Sequence, residues 1–111
     1  MSTSLDISRA YRLILQLARN SRAYSQSELE ELSAEEKSAT HSVELDVSRF
    51  LRQLSCAERA IADGDASALS ASLIDARIAV MRIAADLENL REEIDVLYRR
   101  SAIPEDLRPG L

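Results

Sequence analysis

The stretch ALSASLIDARIAVMRIAADLENLREEIDVLYRR, Ala68–Arg100, decides the fold. Leu69, Leu73, Ala76, Val80, Ile83, Leu87, Leu90, Ile94 and Leu97 follow one another at alternating steps of four and three. That spacing keeps an apolar seam on one side of a helix for about four heptads. Pro104 stops the helix, since its ring blocks continuation. At ~1.5 Å per residue, positions 66–100 span roughly 50 Å.

The two halves of this helix differ. The first also carries Ile74, Ile78, Met81 and Ala85, a wide apolar face expected to be buried against two other helices. The second has a narrow seam flanked by Glu88, Arg91, Glu92, Glu93, Asp95 and Arg99, the form a two-stranded contact takes. Leu87, Leu90, Ile94 and Leu97 are therefore the expected contact with a protein partner or a second copy of the chain. The alternative is an internal cover, from the preceding helix or from the tail through Ile103, Leu107 and Leu111. Pairs at i, i+4, Arg82 with Asp86 and Asp95 with Arg99, fit an exposed helix.

Upstream, Asp63-Gly64-Asp65 marks a tight connection. Gly64 suits a left-handed position after a helix, and Asp65 or Ser67 can cap the next one. The helix before it has a seam of its own at Val43, Val47, Phe50, Leu54, Ala57 and Ile61. Its start is open. Ser27 with Glu30, and Ser33 with Glu36, each read as a capping box. The favoured reading is a short turn from Ser27 with the main helix from about Ser33. A single helix through the whole region competes with it. A first helix is expected from Thr3 or Ser4, Thr3 and Asp6 forming a capping box. Its apolar face is Ile7, Tyr11, Ile14, Leu17 and Ala18, with Leu13 beside it, and it fades at Asn20.

Composition agrees. The 111 residues are 46% hydrophobic but hold only two glycines, two prolines and four aromatics, so breakers are few and an all-β chain is excluded. The expected fold is all-α: an antiparallel three- to four-helix bundle with a long heptad-patterned C-terminal helix. Residues 1–103 would form one domain and 104–111 a short tail. A chain of this size buries only about two-thirds of its unfolded surface, so self-association as a homodimer or higher oligomer is expected to help.

Chemistry is poorly represented. His41 is the sole histidine and makes one H-x-x-E pair with Glu44, whereas a metal site needs three or four converging ligands. Cys56 lies between seam positions and reads as a partly buried packing residue; being the sole cysteine, it makes no internal disulfide. There is no nucleophile elbow, phosphate loop or dinucleotide fingerprint. The chain is read as a non-enzyme without catalytic residues, metal or cofactor. No apolar run approaches membrane-spanning length, and the N-terminus lacks the pattern of a signal peptide, so a cytoplasmic protein with no membrane partner is the default expectation.

Charge is uneven. The net charge is −5, yet residues 1–25 carry +3, against −6 for 26–65 and −2 for 66–111. Arg9, Arg12, Arg19 and Arg22 share one face of the first helix, opposite its apolar stripe. They form a possible phosphate-binding face, or a solvated face set against the acidic run Glu28, Glu30, Glu31, Glu35 and Glu36. No aromatics interleave with them for base stacking.

Two short likenesses add to this. The region Phe50-Leu51-Arg52 through Ala60-Ile61-Ala62-Asp63-Gly64-Asp65, with Leu97-Tyr98-Arg99-Arg100, resembles flagellin-type secretion chaperones, which implies a small bundle that clamps an apolar export segment. Ala76-Arg77-Ile78-Ala79-Val80-Met81-Arg82-Ile83-Ala84-Ala85-Asp86-Leu87 is similar to the third helix of accessory proteins of diversity-generating retroelements, which implies an oligomer that binds reverse transcriptase and nucleic acid. Neither likeness assigns a family. The expected function is a small acidic protein-interaction module: an adaptor, a chaperone or an assembly subunit acting through helix–helix contacts. The alternatives are an accessory subunit of a nucleic-acid-handling complex, and an antitoxin or inhibitor with an acidic binding surface.

Overall fold

The computed structural model describes residues 6–100. Among these are three helices and no strand: α1 Ile7–Ser21, α2 Gln26–Asp63 and α3 Ala66–Arg99. The fold of the described residues is all-α. None of the described helices is long and apolar enough to cross a membrane.

Each start has a local cause. Asp6 caps α1 by accepting the Arg9 backbone N–H on Oδ1 at 2.9 Å. The expected box from Thr3 falls outside the described residues, and Asp6 itself holds the cap position. α1 ends at Arg22, whose φ of 61° is left-handed. Ser21 steadies that turn: its Oγ donates to the Ala18 carbonyl and accepts from the Ala23 N–H.

α2 is one unbroken helix, which corrects the expectation of a separate turn from Ser27 and a main helix from Ser33. The box that starts it is Ser25 with Glu28. The Glu28 N–H donates to Ser25 Oγ at 3.2 Å, and the Ser25 N–H donates to Glu28 Oε1 at 3.0 Å. These reciprocal bonds satisfy two donors that a helix start otherwise leaves unpaired. Neither Pro nor Gly interrupts the residues after it, and Leu29 and Leu32 give this segment a packed side.

At the other end Gly64 has φ 68°. Its N–H donates to the Ile61 carbonyl and the Asp65 N–H to the Ala60 carbonyl, a Schellman closure. Asp65 Oδ1 then accepts the Ala68 N–H at 3.0 Å and opens α3.

The chain packs as two compact units, the first comprising the described residues of 1–40 and 88–111, the second His41–Leu87. In the first unit Ile14, Leu15 and Ala18 of α1 meet Leu32 of α2 and Leu97 of α3, with Leu17, Tyr24, Leu29 and Leu90 packed around them. Tyr11 is the most deeply buried large side chain, and its hydroxyl donates to Glu35 Oε1 at 3.1 Å.

The second unit is a helical hairpin with a different interior. From α2 it buries Val43, Asp46, Ala57 and Ala60; from α3 it buries Ser72, Ala76 and Ala79. Phe50, Gln53, Ile83 and Asp86 are half-buried at the same spacing of three and four. Ser42 Oγ donates to Asp86 Oδ2 at 3.0 Å across the pair. The contact is thus made mostly by small and polar side chains, which let two backbones approach closely.

Candidate interaction surface

Most of the large apolar side chains of the hairpin are outside it. Val47, Leu51, Leu54 and Ile61 of α2 are exposed, as are Leu73, Val80 and Leu87 of α3. Leu73 is 53% exposed and Ile61 66%. Soluble surfaces carry scattered apolar residues without consequence, but a run at regular spacing forms a patch that calls for a cover.

The rows have a common position. Val47, Leu54 and Ile61 each directly follow an interior residue of α2: Asp46, Gln53 and Ala60. Leu73, Val80 and Leu87 each directly follow one of α3: Ser72, Ala79 and Asp86. In an antiparallel pair, positions equally rotated from the seam fall on the same side of the plane holding both axes. Both rows therefore lie on one face of the hairpin. The opposite face is mainly polar, with Leu45 and Ile78 exposed among its charged residues. One groove there is lined by Cys56, Arg59, Asp63 and Asp75, and a second by Asp46, Arg49, Arg52 and Arg82. Cys56 is exposed in this polar groove rather than partly buried, because its position points away from the apolar rows.

The four residues expected to meet a partner divide. Leu97 is 3% exposed in the core of the first unit, and Leu90 packs against that core. These two are covered within the chain, by α1 and α2. Leu87 and Ile94 stay exposed. The sequence spacing sets Leu73, Val80, Leu87 and Ile94 on the same seam as Leu69, Ala76, Ile83, Leu90 and Leu97. The structure puts the second set toward the chain's own helices and turns the first outward.

Arg9, Arg12, Arg19 and Arg22 are all exposed, and among the described residues none is ion-paired. Arg22 sits in the left-handed turn beyond α1 rather than on its face. The acidic run is engaged elsewhere. Glu28 pairs with Arg100 at 2.5 Å, and Glu35 accepts from Tyr11. The Arg100 guanidinium also lies 4.6 Å from the centre of the Tyr24 ring. Hydrogen bonding from the Ser25 N–H and from Arg100 lowers the Glu28 pKa. Burial, with Glu35 nearby, raises that of Glu93. Burial likewise raises the Tyr24 hydroxyl.

On the exposed side of α3, Arg91 bridges Glu88 and Asp95, and these partners raise its pKa. The expected pairs of Arg82 with Asp86 and of Asp95 with Arg99 are not formed among the described residues: Asp86 accepts from Ser42, and Asp95 takes Arg91. His41 and Glu44 are exposed, and no group of three or more candidate metal ligands converges among the described residues.

No protein-family model, no curated protein and no solved structure matches the chain.

Proposed function

We propose that this chain is a small protein-interaction module that works through helix–helix contacts, as an adaptor, a chaperone-like protein or an assembly subunit, without catalysis of its own. The observation that carries the reading is the hairpin of the second unit, whose interior is small and polar and whose Leu, Ile and Val rows face outward. Recognition in this mode places apolar anchors at steps of three, four and seven into a groove of facing helices. In this reading α2 and α3 supply two helices of a larger heptad-packed bundle, and the partner supplies the rest. The site residues are then Val47, Leu54, Leu73, Val80 and Leu87.

The test is a photo-reactive side chain placed at Leu51 in the full-length protein, irradiated in its native cell and followed by mass spectrometry. A cross-linked protein at Leu51, absent when the label sits at Arg52 on the polar face, is the expected result. Equal or absent labelling from both positions would remove the reading.

A second reading rests on Arg9, Arg12 and Arg19, which are exposed and, among the described residues, pair with no carboxylate. An accessory subunit of a nucleic-acid-handling complex would use them on phosphates. Binding of DNA or RNA would then weaken steeply with salt, and the slope would fall by about one per arginine replaced by Gln.

A further inference from the structure

We infer that the apolar face of the second unit is covered by the same face of a second copy of this chain, giving a four-helix assembly about a two-fold axis. The inference rests on the interaction-module reading and names its partner. It starts from an imbalance in the hairpin. Residues 41–87 form a compact unit, yet that unit's own contact buries mainly Ala, Ser, Asp and one Val. Two helices joined in this way have only a thin core of their own, Val43, Phe50 and Ile83, because most of the residues able to make one face out. A face that the fold depends on must be covered whenever the chain is folded. A second copy is the one partner present wherever the chain is made.

The size of the face fits such a contact. Two helices of about 10 Å diameter, 8–10 Å apart and ~33 Å long, offer a footprint on the order of 650 Å². A standard stable interface buries about 800 Å² on each side. The rows also suit self-recognition. Val47, Leu54 and Ile61 recur every seven residues, as do Leu73, Val80 and Leu87, so a two-fold operation brings aliphatic rows of equal pitch together.

Charge selects the arrangement. Beside its row α2 carries Glu44 and Glu58, while the equivalent positions of α3 carry Arg77, Ser70 and Ala84. Setting each α2 against the partner's α3 sets Glu44 level with Ala84, Glu58 with Ser70 and Arg77 with Leu51, so no like charges meet. Setting α2 against α2 would gather four glutamates. The two-fold axis therefore runs along the helices. The second unit as a whole holds seven acids and five arginines in mixed order, so no single-sign field opposes the approach of two copies.

Sedimentation velocity of the full-length chain across a wide concentration range tests this. The expected mass is twice 12.3 kDa. Leu54→Lys and Val80→Lys each bury a charge in the interface and weaken the dimer by roughly 30-fold or more. Arg52→Glu, on the polar face, leaves it intact. Because the lysine variants could lose the fold along with the dimer, a second measurement needs no disruptive change. In a Cys56→Ser background, Leu51→Cys should be captured as a covalent dimer by a short bis-maleimide cross-linker that spans diagonal helices, and Arg52→Cys should not.

A monomer at every concentration overturns the inference, as does a dimer broken by Arg52→Glu and untouched by Val80→Lys. The photo-reactive label at Leu51 separates the two levels. A monomer that labels a different protein there refutes the second copy and leaves the interaction module standing. A monomer that labels nothing removes both.

Discussion

Leu97→Ala and Leu13→Ala make the same chemical change in the same unit, at sites where the structure demands different outcomes. Leu97 is 3% exposed and touches a core built from Ile14, Leu15, Ala18 and Leu32. Leu13 is 57% exposed on α1. Removing three carbons from Leu97 forfeits about 2.4 kcal/mol of transfer free energy at ~0.8 kcal/mol per methylene. The cavity left behind adds to that, and buried Leu→Ala changes cost about 2.7–5 kcal/mol. Leu17, Tyr24, Leu29 and Leu90 surround the cluster while only partly buried, so they can relax inward, and the expected loss is about 3 kcal/mol. For Leu13 less than half of the transfer energy is at stake, about 1 kcal/mol, and the better helix propensity of Ala returns a few tenths of it. Urea titration followed by far-ultraviolet circular dichroism reads both. With a slope of about 1–1.5 kcal/mol per molar, Leu97→Ala should lower the midpoint by roughly 2–3 M and Leu13→Ala by under about 1 M. Equal losses, or a larger one for Leu13→Ala, would mean that α1 docks through another face and would refute the placement of the core.

Ser25→Ala removes the hydroxyl half of the capping box and should cost about 1 kcal/mol, seen as increased amide exchange at the first turn of α2; unchanged exchange there would return the helix start to Ser33. Glu93→Gln should raise the melting temperature at neutral pH. A carboxyl whose folded pKa is raised binds its proton more tightly in the native state, so stability falls as pH climbs from the ordinary glutamate range through the folded value and stays lower above it. The variant lacks that step, and its advantage over wild type should vanish in acid; a variant less stable at neutral pH contradicts the burial of Glu93. Tyr24→Phe keeps the ring beneath Arg100 and deletes a buried hydroxyl that has no hydrogen-bond partner among the described residues. Thermal denaturation should therefore show it neutral or more stable by up to about 1 kcal/mol, and a loss larger than that would reveal a bond made by the hydroxyl.

The all-helical class and the two ends of the hairpin turn could be read from the chain because their signals are local. Gly64 between two aspartates admits few other structures, and Asp65 caps α3 as its position suggests. The start of α2 was harder. Serines at 25, 27 and 33 all precede a glutamate by three residues, so three candidate boxes compete and only tertiary contact chooses among them. Packing of Leu29 and Leu32 into the first unit requires the helix to have begun already, which selects Ser25. The fates of Leu90 and Leu97 also lay beyond local reasoning. A helix pattern states which residues share a face, and it does not state how far α1 reaches to cover them.

The seam of α3 shows why. Every seventh residue from Leu69 to Leu97 belongs to two rows at once: one completed by Ser72, Ala79, Asp86 and Glu93, the other by Leu73, Val80, Leu87 and Ile94. Both rows have the spacing of three and four that a helix pair requires. Hydrophobicity ranks the second higher, and sequence reading follows hydrophobicity. The chain's own helices take the first, where small side chains permit close approach and Asp86 finds the Ser42 hydroxyl. Were the hairpin the final structure, this choice would waste the stronger row, at roughly 1.5–3 kcal/mol for each aliphatic side chain left unburied. A sequence that sets weak apolar residues toward itself and strong ones outward at the same pitch is what the proposed assembly, with its second helix pair in another molecule, requires.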